Sequence, residues 1–370
     1  MIHCSDNDSG IPLSRIGKSE GALKIITWQG YMERGEKNPE FDWISNFEKT
    51  TGCKVKVKYA TTSDEMVSLM NGGGYDLVTA SGDASLRLIH GNLVQELNLD
   101  LIPNWELIDP RLKNAPWHTV DRKHFGVPYQ WGANFLMYNT NVFKTPPKSW
   151  EVVFEEQILP DGLSNRNRVQ AFEGPIYLAD AALYLMYRDK YLNIKNPYEL
   201  NKEQFSAVIS LLHKQKNIIG KYWHDASIQL EDFHSGEFIV SSSWPYQVNL
   251  LQKMGAPIAS TIPREGVTGW ADSTMLHINS KNRNCAYRWM NHSLEAKTQG
   301  DVAAWFGSVP SVLSACKNNS MLGENGCVQN GLNNFDKVWF WRTPIENCKT
   351  QSRCVPYYEW VKEMIPVLKP

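Results

Sequence analysis

The sequence holds no run that approaches the ~18–20 apolar residues a membrane-spanning helix requires. Charge of neither sign dominates, since 38 Lys and Arg stand against 39 Asp and Glu for a formal net charge of −1. Such a balance offers neither the basic groove of a nucleic-acid binder nor a polybasic face for anionic lipid, and no nucleic-acid partner is expected. Short catalytic motifs are missing too: G-x-S-x-G, H-E-x-x-H, the P-loop and G-x-G-x-x-G do not occur. The seven cysteines include no C-x-x-C pair and no histidine at zinc-ligand spacing beside them. No catalytic residue, metal or cofactor is therefore assigned. His224-Asp225 with His234 imitates a metal or catalytic cluster, but satisfied histidines are the expectation there. No repeat, linker or low-complexity tract divides the chain.

What remains is an ordinary globular chain with one excess. Its 370 residues suggest two domains or one domain with two lobes, at roughly 150 residues per domain. Against 42% apolar residues it carries 14 Trp, 15 Tyr and 13 Phe. A core uses some of these, and so many indoles also point to a ligand site walled by aromatic rings.

The cysteines speak to compartment. Cys316 and Cys327 flank a polar loop, and Cys348 and Cys354 flank the short segment N-C-K-T-Q-S-R-C. Local disulfides fit both pairs and imply an oxidising compartment. Cys53 and Cys285 either pair or stay buried thiols. Cys4 opens the polar run C-S-D-N-D-S-G, the start of an expected flexible tether over residues 1–21. Two readings of Cys4 stay open: the acylated cysteine of an exported lipoprotein whose signal peptide has been removed, or an exposed thiol in a frayed terminus.

Periodicity places the elements. Leu23 to Trp28 reads as a buried strand, Pro39 to Thr51 as a helix stopped by Gly52, and Lys54 to Tyr59 as a half-buried strand. Thr62-Ser-Asp-Glu65 is a capping-box pattern for a helix through Met70. Tyr75 to Ala80 is a third strand, and Asp83 to His90 is helical. This alternation predicts a parallel sheet with helices on its faces. An interrupted extended segment over Val127 to Asn139 follows. Helices are expected over Ala179–Lys190, Lys202–Gln215, Cys285–Leu294 and Ala296–Phe306, with strands at Phe238–Ser242 and Thr274–Ile278.

Ligands of parallel α/β sheets lie beyond the carboxyl ends of the strands. The segments there are T-W-Q-G-Y at 27–31, T-A-S-G-D-A-S at 79–85, S-S-W-P-Y-Q at 242–247 and G-W-A-D at 269–272. Trp28, Tyr31, Trp244 and Trp270 can wall a slot whose charged ends are Asp272 and Asp83. Ring faces bind methylenes and attract a cation, worth about 0.5–2 kcal/mol per contact, and a carboxylate on a charged donor adds roughly 1.5–3 kcal/mol. The residue types suit an alkyl amine.

These segments also carry a family likeness. Together with F-E-K-T-T-G-C-K-V, Y-D-L-V-T-A-S, L-I-P-N-W, G-V-P-Y-Q-W-G-A-N and E-G-V-T-G-W-A-D-S, in this order, they make the chain from about residue 22 onward resemble bacterial extracellular solute-binding proteins. The group is that of spermidine/putrescine receptors serving ABC importers. Within it the chain is most similar to a branch described as periplasmic receptors that also make polyhydroxybutyrate. The resemblance implies an α/β, periplasmic-binding-protein-like (type II) fold, two α/β lobes joined by a hinge with the ligand cleft between them. Lobe 1 is expected over 22–135 plus 273–315, and lobe 2 over 136–272 plus 316–370. It further implies a periplasmic monomer whose partners are a small-molecule amine, a permease and its ATPase. Trp28, Tyr31, Ser81, Trp244, Trp270 and Asp272 match ligand residues of the group. Asp83 falls where the group places a Ser or Tyr, and Asp180 lies near a further acidic position.

The departures point away from a long polycation. Gln29 and Gly30 follow the first Trp where the group often has an acid, Gln247 replaces an Asp, and Arg342 stands where a neutral amide is usual. Arg342 suits a ligand with a carboxylate at one end, an ω-amino acid such as γ-aminobutyrate. The bland alternative pairs it with Glu346 or a nearby Asp. An enzymatic alternative, polyhydroxybutyrate synthesis, lacks the cysteine nucleophile in a G-x-C-x-G turn.

Overall fold

A computed structural model describes residues 10–368. The chain forms two compact units, 1–131 with 271–329 and 132–270 with 330–370. Two of the three crossings fall inside strands, Gly126–Ala133 and Val267–Leu276.

In the first unit, Ala22–Trp28 pairs in parallel with Lys54–Ala60 on one side and Leu77–Ala80 on the other. Leu23, Ile25 and Ile26 are fully buried, as a central strand covered on both faces requires. Lys54–Ala60 is the outer strand of the order, and its exposed Lys54 and Lys56 guard that edge against pairing with another chain. Val267–Leu276 joins Leu77–Ala80 in antiparallel register, pairing Ser273 with Ala80. The apolar core on one face gathers Ile26, Met66, Met70, Val78, Leu88 and Met275.

The helices start and stop as local chemistry dictates. Thr62 accepts from the Glu65 amide at 3.1 Å and opens Ser63–Gly72. The box is only half closed, because the Glu65 carboxylate reaches the Thr61 amide instead. Ser45–Thr51 is shorter than the periodicity implied. Asp42 caps it by accepting from the Ile44 and Ser45 amides, so residues before 45 lie in turns. Gly52 ends it at φ +71, a left-handed position that other residues occupy at a cost.

In the second unit, five strands order as Ile258–Thr261, Phe135–Asn139, Val240–Ser243, Val169–Phe172 and Ile219–Trp223. Phe135–Asn139 is antiparallel to both neighbours and the last three are parallel. Leu178–Arg188, Lys202–Gln215, Ala226–Ser235, Pro245–Lys253 and Tyr357–Leu368 are its longer helices. Val169–Phe172 and Ile219–Trp223 had no counterpart in the periodicity, being short and partly polar.

Three expectations change. The strand near Thr274 runs from Val267 to Leu276, all ten residues buried, so its polar positions hid it. The Cys316–Cys327 loop belongs to the first unit, where the second was expected. The expected tether does not persist to residue 21: Glu20 accepts from the Asn284 and Cys285 amides and Asn98 donates to the Leu13 carbonyl. Its earlier part, with Cys4, lies outside the described residues.

The disulfides are Cys316–Cys327, Cys348–Cys354 and Cys53–Cys285. The last spans 232 residues and ties the start of Lys54–Ala60 to the first turn of the Arg283–His292 helix. A cross-link over so long a loop restricts the unfolded chain strongly. Urea titration of oxidised protein should place the C53A/C285A variant about 2–5 kcal/mol below the parent, and coincident midpoints would show that the bridge contributes nothing.

Candidate functional site

Asp272 in the first unit and Asp180 in the second are buried carboxylates whose hydrogen-bond donors are neutral. In the first, Asp272 is 3% exposed. Ser81, at the N-cap of Gly82–His90, donates its hydroxyl to Asp272 Oδ1 at 2.5 Å, and the Tyr31 hydroxyl donates to Oδ2 at 2.8 Å. Tyr31 is rigid. Its ring meets Tyr129 edge-on and Phe306 at a tilt, and its carbonyl accepts from the Trp43 indole and the Tyr129 hydroxyl. Gly30, at φ +94, turns the backbone there, and a β-carbon on it would lie 3.0 Å from the Phe306 ring.

Burial pushes the Asp272 carboxyl up to about 7, and nearby Asp83 adds to the rise. Hydrogen bonds from Ser81, Tyr31 and Trp28 oppose it. No described Lys, Arg or His comes within ion-pair distance of Asp272. Asp83 occupies the first turn of its helix, buried, with its carboxylate accepting from Ser63 at 3.0 Å. Burial raises its carboxyl, and the Arg87 guanidinium opposes that rise. Asp83 thus ties the start of Ser63–Gly72 to its own helix, while Asp272 collects Trp28, Tyr31 and Ser81. Four of the expected residues come together here.

In the second unit Asp180 is 6% exposed, in the first turn of Leu178–Arg188. Thr268 donates to its Oδ1 at 2.9 Å, and Asn134 Nδ2 donates to Thr268 at 2.8 Å. Burial pushes the Asp180 carboxyl up to about 7, against the hydrogen bonds of Thr268 and its own backbone amide. Asp180 lines a small pocket with Asn134, Ser242, Ser243 and four rings, Phe172, Trp223, Trp244 and Trp341. Trp244 packs edge-on against Trp223 with centroids 5.1 Å apart, and Phe172 stacks on Trp341 at 6.0 Å. Gln229 holds the end of Val240–Ser243 by donating to the Ser242 carbonyl and accepting from the Ser243 hydroxyl.

The remaining expected residues lie elsewhere. Trp270 is buried against Gly132, where a β-carbon would come within 2.4 Å of the indole; Gly132 is required by that approach. Gln247 is fully buried in the first turn of Pro245–Lys253, with neither amide atom hydrogen-bonded. Arg342 is half-buried, and Glu346 pairs with Arg353 instead, so the surface-pair alternative for Arg342 does not hold. Trp270, Gln247 and Arg342 do not line the Asp180 pocket. The histidine cluster also resolves into ordinary parts: His224 contacts Glu173 at 2.9 Å, and Asp225 caps Ala226–Ser235.

Sequence reasoning missed Phe172, Trp223, Asn134 and Trp341. Phe172 and Trp223 end the two strands it did not find, and the strand-exit rule would have found them there. Trp341 was hidden beside the more conspicuous Arg342.

A buried carboxylate with no described counter-ion suits a cation. Residues 42–321 match the family of bacterial extracellular solute-binding proteins. The chain belongs to that family. This solute-binding protein is 25% identical over 303 residues to the putrescine-binding periplasmic protein PotF of Escherichia coli, covering 77% of this chain and 76% of that one. Its fold matches the spermidine/putrescine ABC transporter substrate-binding protein PotD of Streptococcus pneumoniae with a TM-score of 0.71 at 17% identity, over 94% of this chain and 99% of that one. It also matches the Atu4243 GABA receptor with a TM-score of 0.67 at 17% identity, over 94% and 95%. The expected α/β periplasmic-binding-protein-like fold is the one observed.

Asp272 and Asp180 take up protons on folding, because each ionises near 7 when folded and at about 4 when unfolded. Stability of the ligand-free solute-binding protein therefore falls as pH rises from about 4 to 7, and the whole penalty is present above 7. Removing one charge should relieve it. Asp272→Asn is expected to raise the melting temperature of ligand-free protein by several degrees at pH 8, with little gain at pH 4.5. Scanning calorimetry at the two pH values checks this, and an equal gain at both would show that Asp272 does not titrate there.

Proposed function

We propose that this solute-binding protein is the periplasmic receptor of an ABC importer for a small aliphatic amine, a polyamine of the putrescine or spermidine kind. The observation that carries the reading is Asp272, a buried carboxylate served only by neutral donors. Such a group costs free energy until a cation reaches it. Asp180 repeats the arrangement inside aromatic walls, and ring faces add to cation binding. Trp28, Tyr31 and Ser81 position the first carboxylate, and Trp244 walls the second. The receptor acts as a monomer that presents its ligand to a membrane permease and cytosolic ATPase. Cys4 is the point at which acylation would tether it.

One observation favours a narrower ligand, an ω-amino acid such as γ-aminobutyrate. Arg342 is half-buried, and no described carboxylate stands within ion-pair distance, which leaves its guanidinium for a ligand carboxylate. Asp83, braced by Ser63, serves position and not contact in this reading, and Gln247 and Trp270 support the walls.

Isothermal titration of protein unfolded, stripped and refolded should detect putrescine, spermidine or γ-aminobutyrate, and Asp272→Asn should weaken the bound amine at least tenfold. Silence from all three ligands overturns the reading, and an unchanged affinity removes Asp272 from the site. Release of coenzyme A from hydroxybutyryl-coenzyme A by pure protein would establish an enzyme instead.

A further inference from the structure

The Asp180 pocket has polar atoms whose directions can be worked out one by one. Ionised Asp180, the form that a bound cation favours, only accepts hydrogen bonds. Its Oδ1 therefore takes the single hydroxyl proton of Thr268 at 2.9 Å. Thr268 must then accept from Asn134, which fixes the amide with Nδ2 toward Thr268 at 2.8 Å. The backbone locks the same pair, as the Asn134 amide donates to the Thr268 carbonyl at 2.9 Å. Asn134 Oδ1 is left buried without a partner, and so is Ser242 Oγ. Asn134 is 5% exposed and Ser242 4%, and both line the pocket beside Asp180.

The rings alone do not choose between kinds of ammonium. Phe172, Trp223, Trp244 and Trp341 wall the pocket, and an aromatic wall attracts any cation, a quaternary ammonium included. The acceptors do choose. A primary ammonium carries three N–H donors and no acceptor, matching a carboxylate oxygen, Asn134 Oδ1 and Ser242 Oγ. Each N-methyl group removes a donor, leaves a buried oxygen unsatisfied and adds bulk within a pocket closed by rings. A carboxylate would face the Asp180 carboxylate and the Asn134 oxygen, both acceptors, and would find donors only in the Trp341 indole and the serine hydroxyls.

We propose that Asn134 and Ser242 make the Asp180 pocket selective for a primary ammonium over N-methylated ones, Asn134 being set by the Thr268 chain. The proposal rests on the amine reading above and adds which ammonium, and which end of an ω-amino acid, enters this unit.

The test titrates the refolded full chain with putrescine, N,N,N′,N′-tetramethylputrescine, γ-aminobutyrate and its trimethylammonium analogue. Wild-type protein should prefer the primary form of the ligand it binds by at least 100-fold. Ser242→Ala and Asn134→Ala should each weaken that primary ligand about tenfold or more and leave the methylated one within threefold, so the ratio shrinks. Ser242→Ala leaves the Thr268 chain intact and serves if Asn134→Ala does not fold. Methylated and primary ligands binding within threefold of each other, or a ratio unmoved by Ser242→Ala, overturns the selectivity alone. Silence from all four ligands overturns the amine reading and this proposal with it.

Discussion

Burying a carboxylate without a counter-ion is the constraint on which this molecule turns. Asp272 in the first unit and Asp180 in the second do so, and the donors around them are hydroxyls, an indole and a backbone amide. Hydrogen bonds from neutral donors lower the cost of burial but do not cancel it, which is why both groups ionise near neutrality. The folded chain keeps this uncompensated charge because the groups around it are fixed. Tyr31 is held between rings, Ser81 by a helix start, and Asn134 and Thr268 by each other. A site built from rigid donors loses little further order when a cation arrives, so more of the interaction is expressed as affinity.

The strand Val267–Leu276 shows how the fold delivers these groups. Its first part supplies Thr268 to the second unit, and its continuation supplies Asp272 to the first. Gly269 between them admits close packing, since a β-carbon there would lie 2.5 Å from the Gly132 carbonyl and 2.4 Å from Val338. A buried strand normally reads as a run of Val, Ile and Leu. This one reads V-T-G-W-A-D-S-T-M-L because its polar residues bond to other buried groups, Thr274 to Thr79 and Thr268 to Asp180.

That substitution of polar for apolar residues marks where the sequence was legible and where it was not. Lys202–Gln215 and Ala296–Phe306 were readable to the residue, the first from its amphipathic period and Asn201 cap, the second from its apolar spacing and the Gly307 stop. Strands with polar interiors gave no such signal, and Phe172 and Trp223 were lost with them. Within the site, Tyr31 and Ser81 were readable from their place after strands, whereas Asp272, expected in such a place, lies inside Val267–Leu276. Asp83 shared that place but turned to Ser63, a partner 20 residues away that no local pattern marks. Trp270 was readable as an indole, not as one packed on a glycine.

The sequence by itself determined the two local disulfides, the α/β alternation and the aromatic surplus, because composition, spacing and local periodicity carry them, and it carried the family likeness in the order of its motifs. Tertiary structure alone decided that Cys53 meets Cys285, that Asp180 joins Asn134 through Thr268, and that Arg342 is left without Glu346. Those facts join residues that sheet and helix packing bring together from distant parts of the chain. Whether a buried charge is balanced depends on everything around it, and no local stretch of sequence contains its surroundings.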